Sequence, residues 1–336
     1  MAAFTWPSSA CASAVVALVA CGANHHAAPA GTSASRRPGW AARVDIAIKL
    51  PNASVLTEFP VPLRLTRERV DFARIASDGH DLRFTDSNGV DVPFEIERFD
   101  ARKVTWVWVR LPRVEPGRDT RLMMYFDNPK APYLEPSEAR TVWGAELAGV
   151  YHLDDTIDDS SPAQSATSGT GMSPADGIVG PAHYFAGKPI DDITSTTAAL
   201  PSAQHAICAW ANTDQIGAGR SVMLAGYATF ALLRQGADAR CGSAAAANAF
   251  AIGTWRQVCC VHAGNVDQIY VDGVPAAKAP AAHEDAGGTL HIGGGSWIGV
   301  IDEVRVSRVA PSADWIATDH AAMTTDVATF GAVVAQ

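Results

Sequence analysis

Charge is scarce in this 336-residue chain. Asp, Glu, Lys and Arg together make up 18%, and 26 basic residues face 35 acidic ones for a formal net charge of −9. No basic stripe reverses that sign locally, so the surface repels phosphate backbones and argues against nucleic acid as a partner. Lys and Arg are missing altogether before Arg36. No apolar run approaches the roughly 20 residues that a spanning helix needs. Extremes of Pro and Gly are missing too, which excludes fibrous and low-complexity classes and leaves a globular composition. The length allows two domains, each with its own core.

Residues 10–20 are uncharged and almost wholly apolar, which suits a secretory h-region. Leu18-Val19-Ala20-Cys21 resembles the bacterial lipoprotein signal, in which small residues precede a lipidated cysteine. The resemblance implies a signal segment over 1–20, diacylglyceryl attachment at the nucleophilic Cys21 thiol, and a membrane contact through that anchor only. The missing basic residues before the h-region depart from the pattern, and cleavage after Ala28-Pro29-Ala30 is the alternative. Residues 21–40 are rich in Ala, Ser, Gly and Pro and read as a flexible tether, with His25 and His26 as solvated linker residues.

From Val44 the apolar period is two: "VDIAIKL", "VPLRLT", "DLRFT", "VPFEIER", "VTWVWVRL" and "TRLMMYF" follow one another, separated by turn formers such as Ser87-Asn88-Gly89. Short strands without a helix predict an antiparallel sandwich over 41–136. Asp78, Asp81 and Asp86 read as turn residues ahead of calcium ligands, since no closing bidentate carboxylate follows them. Trp106 and Trp108 share one face of their strand, most simply the core. The order Asp78-Gly79, Asp81-Leu82-Arg83-Phe84, Pro93, Glu95-Ile96-Glu97 and Trp108-Val109 resembles the family called domain of unknown function 2341, over about 56–129. Phe126-Asp127-Asn128 departs from its usual Tyr-Gly-Asn ending. The resemblance implies a secreted β module that precedes a lectin-like domain.

A second module is read over 137–323, with 324–336 a weakly patterned tail. "GVYHLDD", "HYFAG", "AICAWANT", "GTWRQVCCVHAG", "QIYVDGVP", "TLHIGGG" and "GVIDEVRVSRVAPSADWI" resemble the laminin-G-like, concanavalin-A-like jelly rolls of bacterial surface proteins. Trp255 to Gly273 predicts a hairpin with an Asp272-Gly273 turn, and 311–323 a closing helix capped by Ser312. Two of the six cysteines lie in the targeting segment, and Cys208, Cys241, Cys259 and Cys260 allow three pairings. The pentraxin branch of this fold has a strand-linking pair where Cys208 and Cys259 stand, which implies Cys208–Cys259. Cys260 points to the other face of its strand, which leaves Cys241 as its partner, with free cysteines packed as small core hydrophobes the alternative.

The catalytic inventory is empty. Glu-x-Asp-x-x-Glu does not occur, Asp302 and Glu303 are neighbours expected to face opposite ways, and no nucleophile elbow or phosphate loop is present. Asp154, Asp155, Asp158 and Asp159 place four carboxylates in six residues. A solvated acidic loop is one reading; in similar jelly rolls a structural calcium can tie this loop to the Ile-Asp-Glu strand. Carried over, that suggests Asp159 and Asp302 as ligands, with Asp154 or Asp158 beside them. The sequence is therefore read as an all-β protein of two tandem antiparallel β-sandwich (jelly-roll) domains. It is expected to be exported and to bind a glycan or an envelope or matrix protein without catalysis. A glycosidase with a degenerate site and a purely structural spacer are the competing readings.

Overall fold

The computed structural model describes residues 36–217, 221–281 and 286–336. Cys21, with residues 1–20 read as a signal segment and 21–35 of the expected tether, lies outside them. Four sheets form two sandwiches, of five and three strands in the first and of eight and seven in the second. Every strand pairing within these sheets is antiparallel.

The first sandwich follows the alternation in its sequence. Val44, Ile46 and Ile48 of Ala42–Ile48 pack against Val61, Leu63 and Leu65 of Leu56–Leu65 and against Val107, Val109 and Leu111 of Thr105–Val114. The weakly patterned tail holds two short strands: Ala328–Phe330 and Val334–Ala335 both pair with Ala42–Ile48, on the edge opposite Thr120–Phe126. Gly331 N donates to Asp45 O and Gln336 N to Ala41 O, so the last residues supply ladder bonds to the first strand. Asp127, standing where the related family has glycine, does adopt a left-handed φ of 66°. Its carboxylate accepts from Arg74 Nη2 at 2.8 Å, and its N–H donates to the buried Asp81 carboxylate at 2.9 Å. Local bonds thus hold a conformation that glycine reaches unaided.

In the second sandwich Gln204–Thr213 lies between Trp255–Ala263 and Ile298–Ser307. Ile207, Ala209 and Ala211 face the core shared with the seven-stranded sheet, where Leu224, Leu232, Leu290 and Ile292 meet them. Trp255–Ala263 and Val266–Val271 form the expected hairpin pairing, and Asp272 (φ 50°) and Gly273 (φ 78°) make the left-handed turn that follows. Helix Ala313–Thr324 begins at Ser312, whose hydroxyl accepts from Trp315 N at 3.1 Å.

That helix is a wedge between the sandwiches. Ile316 packs on the eight-stranded sheet, Trp315 meets Phe59 edge-on at 5.5 Å, and Asp314 accepts from the N–H groups of Ala53 and Ser54. Arg64 reaches across to Met323 O at 3.1 Å. The central strands of the eight-stranded sheet are therefore covered on their outer face by this helix and the first sandwich.

Candidate functional site

Two places carry chemistry, the sealed junction and the open face of the seven-stranded sheet. At the junction, Trp106 and Trp108 do share one face, but not that of the first core. They turn outward and join Trp143, Val150, Trp210 and Met323 in a cluster that spans both sandwiches. The odd-numbered neighbours Val107 and Val109 take the core instead.

Ile298–Ser307 breaks its own alternation at this point. Trp210 pairs with Asp302 and Cys208 with Arg305, so an extra residue is inserted, and Glu303 takes a φ of 47°. This bulge corrects the expectation that Asp302 and Glu303 face opposite ways: both side chains now point into the junction. Glu303 Oε1 lies 2.6 Å from His152 Nδ1, and its Oε2 accepts from Arg305 Nη2 at 2.8 Å. Arg305 also reaches Asp319 Oδ1 at 2.7 Å, whose other oxygen accepts from Gln257 at 2.8 Å. From the first sandwich comes Glu97, with Oε2 accepting the Trp108 indole N–H at 2.7 Å and 3.6 Å from His152 Nδ1. Asp302 Oδ2 accepts from Ile178 N and Val179 N.

Burial pushes the Glu97 and Asp302 carboxyls well above the usual carboxylate range, with Glu303 adding repulsion to both. Burial opposes charge on His152 as well, but the adjacent Glu303 carboxylate overrides it and holds the imidazole well above its ordinary pKa. Burial likewise raises Glu303, yet His152 and Arg305 outweigh it and keep that carboxyl low. The three carboxyls have acid–base chemistry without access: Glu97, Asp302 and Glu303 are buried side chains that a sugar cannot reach. Beside them lies a cavity of 290 Å³ between Pro60, Leu147, Ala206 and Trp315, with Arg305 and Asp319 at its polar end.

Few of these residues stand out in the sequence. Glu97 and His152 are unremarkable singly, and only two acidic residues at outward parity in "FEIER" hint that this face is covered. Cys208–Cys259 and Cys241–Cys260 are both disulfides in the structure. The first links neighbouring strands on the junction side, and the second crosses the core to the seven-stranded sheet. The acidic loop is placed differently from a carboxylate cage. Asp159 is buried, with Oδ1 accepting from Val150 N and Ser161 N and Oδ2 from Ser165 N. Asp154 accepts from Thr156 N, and Asp158 is exposed. Among the described residues, no three of Asp154, Asp158, Asp159 and Asp302 bring ligand oxygens within 4.8 Å of one another. Asp78 and Asp86 accept from N–H groups two residues on, as turn residues do.

On the other side of the second sandwich, the seven-stranded sheet has no described layer over it. Ser168, Thr194 and His291 stand in one cross-strand row, and Met223, Leu233 and Arg240 in another. All six side chains are half-buried or exposed. Ser168 Oγ lies 2.9 Å from Thr194 Oγ1, and Asp192 Oδ2 lies 2.7 Å from His291 Nδ1. This face offers hydroxyl, imidazole, carboxylate and guanidinium groups around two apolar side chains.

Residues 189–317 match the family described as the concanavalin A-like lectin/glucanases superfamily. Residues 78–166 match domain of unknown function DUF2341, ending beyond the motifs that suggested it and including His152 and Asp159. No curated protein matches the chain. Among solved structures, the binding domain of Paraclostridial Mosquitocidal Protein 1 is 10% identical over 51% of each chain, with a TM-score of 0.44. Domain 4 of AbnA, an extracellular arabinanase from Geobacillus stearothermophilus solved with arabinotriose, is 16% identical over 51% of this chain and 97% of its own, with a TM-score of 0.41. Trypanosoma rangeli sialidase is 14% identical over 53% of this chain and 33% of its own, with a TM-score of 0.42. This chain spans 51% of the length of the mosquitocidal binding domain. The chain carries a DUF2341 module followed by a concanavalin-A-like domain.

Proposed function

We propose that this is an exported, non-catalytic binding protein that presents the open face of its seven-stranded sheet to a glycan. The observation that carries the reading is the asymmetry of the second sandwich: one face is covered by the first module, and over the other, with its hydrogen-bonding side chains, the described residues form no layer. Sugar hydroxyls both donate and accept, and the His291–Asp192 pair, Thr194, Ser168 and Arg240 supply both partners. Met223 and Leu233 supply apolar surface for the C–H face of a pyranose. Two disulfides support an oxidising compartment outside the cytosol, and no described helix is long and apolar enough to cross a membrane. Attachment through Cys21 would place this face at the cell envelope.

A glycan array with the purified chain tests the reading. Saturable binding is expected, weakened at least tenfold by His291→Ala and by Arg240→Ala, with no reducing sugar released. Binding that both substitutions leave unchanged would move the site elsewhere, and released sugar would establish an enzyme.

A further inference from the structure

The junction holds more acid than base. Glu97, Asp302, Glu303 and Asp319 are four buried carboxyls, and Arg305 and His152 are the buried bases among them. Unbalanced charge in a sealed interior is costly unless protons or a cation compensate it. Three of these side chains converge: one ligand atom each from Glu97, His152 and Glu303 lies within 4.8 Å of the others. The set draws on both sandwiches, since Glu97 sits on Phe94–Arg98 and Glu303 on Ile298–Ser307.

Separately, polar atoms in this pocket are left without a partner. Glu97 Oε1 and Asp302 Oδ1 are buried and make no hydrogen bond, although buried polar atoms nearly always do, and His152 Nε2 has only the Glu95 carboxylate at 3.6 Å. The remaining atoms of the set are held as outer-shell partners hold metal ligands. Trp108 donates to Glu97 Oε2, Arg305 donates to Glu303 Oε2, and His152 Nδ1 lies 2.6 Å from Glu303 Oε1.

We propose that Glu97, His152 and Glu303 bind a divalent transition ion of the zinc type, which joins the two sandwiches. One imidazole nitrogen and two carboxylates suit such an ion. Calcium wants six to eight oxygens, and magnesium an octahedron largely of oxygen and water. The ion is structural: its ligands are shielded by Trp108 and Trp143, whose rings lie 5.9 and 5.4 Å from that of His152.

Elemental analysis of the dialysed full-length chain tests this, together with cobalt(II) substitution read by visible d–d absorption. About one equivalent of metal per chain is expected, with cobalt bands that zinc displaces and a melting temperature that falls in strong chelator. Glu97→Gln, which keeps the side-chain shape, and His152→Ala should each abolish the bands while circular dichroism shows a folded protein. Trp108→Phe, which removes the bond to Glu97 Oε2, should weaken zinc by about 10–100-fold. A folded wild-type chain with no bound metal, no cobalt bands and melting indifferent to zinc would overturn the proposal and leave the cluster balanced by protons. Bands that survive Glu97→Gln would overturn the ligand set.

Discussion

Removing the disulfides one at a time separates two accounts of what they do. Cys208–Cys259 closes a loop with a sequence separation of 51, and Cys241–Cys260 one of 19. If a crosslink acts by restricting the unfolded chain, the longer loop matters more. The chain-entropy relation gives about 4.1 kcal/mol for the first and about 3.2 kcal/mol for the second. If packing of the native sulfurs dominated, the order should reverse. Cys241 and Cys260 lie in the large core between the two sheets, whereas Cys208 and Cys259 join strands already bonded to each other in register. Cys208→Ala with Cys259→Ala, and Cys241→Ala with Cys260→Ala, should be compared by urea unfolding followed by tryptophan fluorescence. The expected result is a larger loss for the 208–259 pair, with a steeper denaturant slope in both variants because the unfolded chain becomes more expanded. A larger loss for the 241–260 pair with slopes unchanged would refute the entropic account for this protein.

Truncation after Asp326 should cost at least about 3 kcal/mol, counting about 1 kcal/mol for each of the bonds Lys49 N to Val327 O, Gly331 N to Asp45 O and Gln336 N to Ala41 O, before the ladders of Ala328–Phe330 and Val334–Ala335 are added. It also bares the edge of Ala42–Ile48, so light scattering should rise; an unchanged melting temperature would show that the terminal strands add nothing. His320 stacks on Trp210 at 5.2 Å, and burial holds its pKa below the ordinary value despite Asp272 and Asp319 nearby. The unfolded chain then takes up a proton at about pH 6.5 that the folded one resists, so this residue's contribution is present above that pH and is lost as pH falls below it. His320→Phe, which keeps a ring over Trp210, should flatten the decline in melting temperature between pH 7.5 and 5.5; parallel curves would exclude the effect. Asp159→Asn should cost about 2 kcal/mol with or without calcium, because the buried carboxylate accepts three backbone N–H groups. A cost that disappears in chelator would instead indicate a calcium ion in that loop.

How much of this was legible in the sequence depended on whether the signal was local. Alternation at Val44, Ile46 and Ile48 is a property of one strand, and the Asp272-Gly273 turn of two residues, so both could be read directly. The opposite faces of Cys259 and Cys260 follow from the same period, and with the family likeness they gave the pairing. The junction needed information that one strand does not hold. Trp106 and Trp108 have the parity expected of a core, but which side of a sheet is buried depends on what else packs there. The bulge at Glu303 reverses a parity argument without a glycine or proline to announce it. Ala328–Phe330 is a strand because Ala42–Ile48 offers it an edge, and its own three residues are too few to show a period.

The pairing of the last residues with the first strand also sets an order of events. A chain that emerges from a ribosome or a translocation pore presents Ala42–Ile48 early, and its partner Ala328–Phe330 only after almost three hundred further residues. The first sandwich thus cannot complete its sheet as it appears. It waits, with an unpaired edge, until the second sandwich has threaded past and the wedge helix has turned the chain back. This is a delay built into topology, whatever compartment the chain folds in. The half that arrives first is the half that closes last.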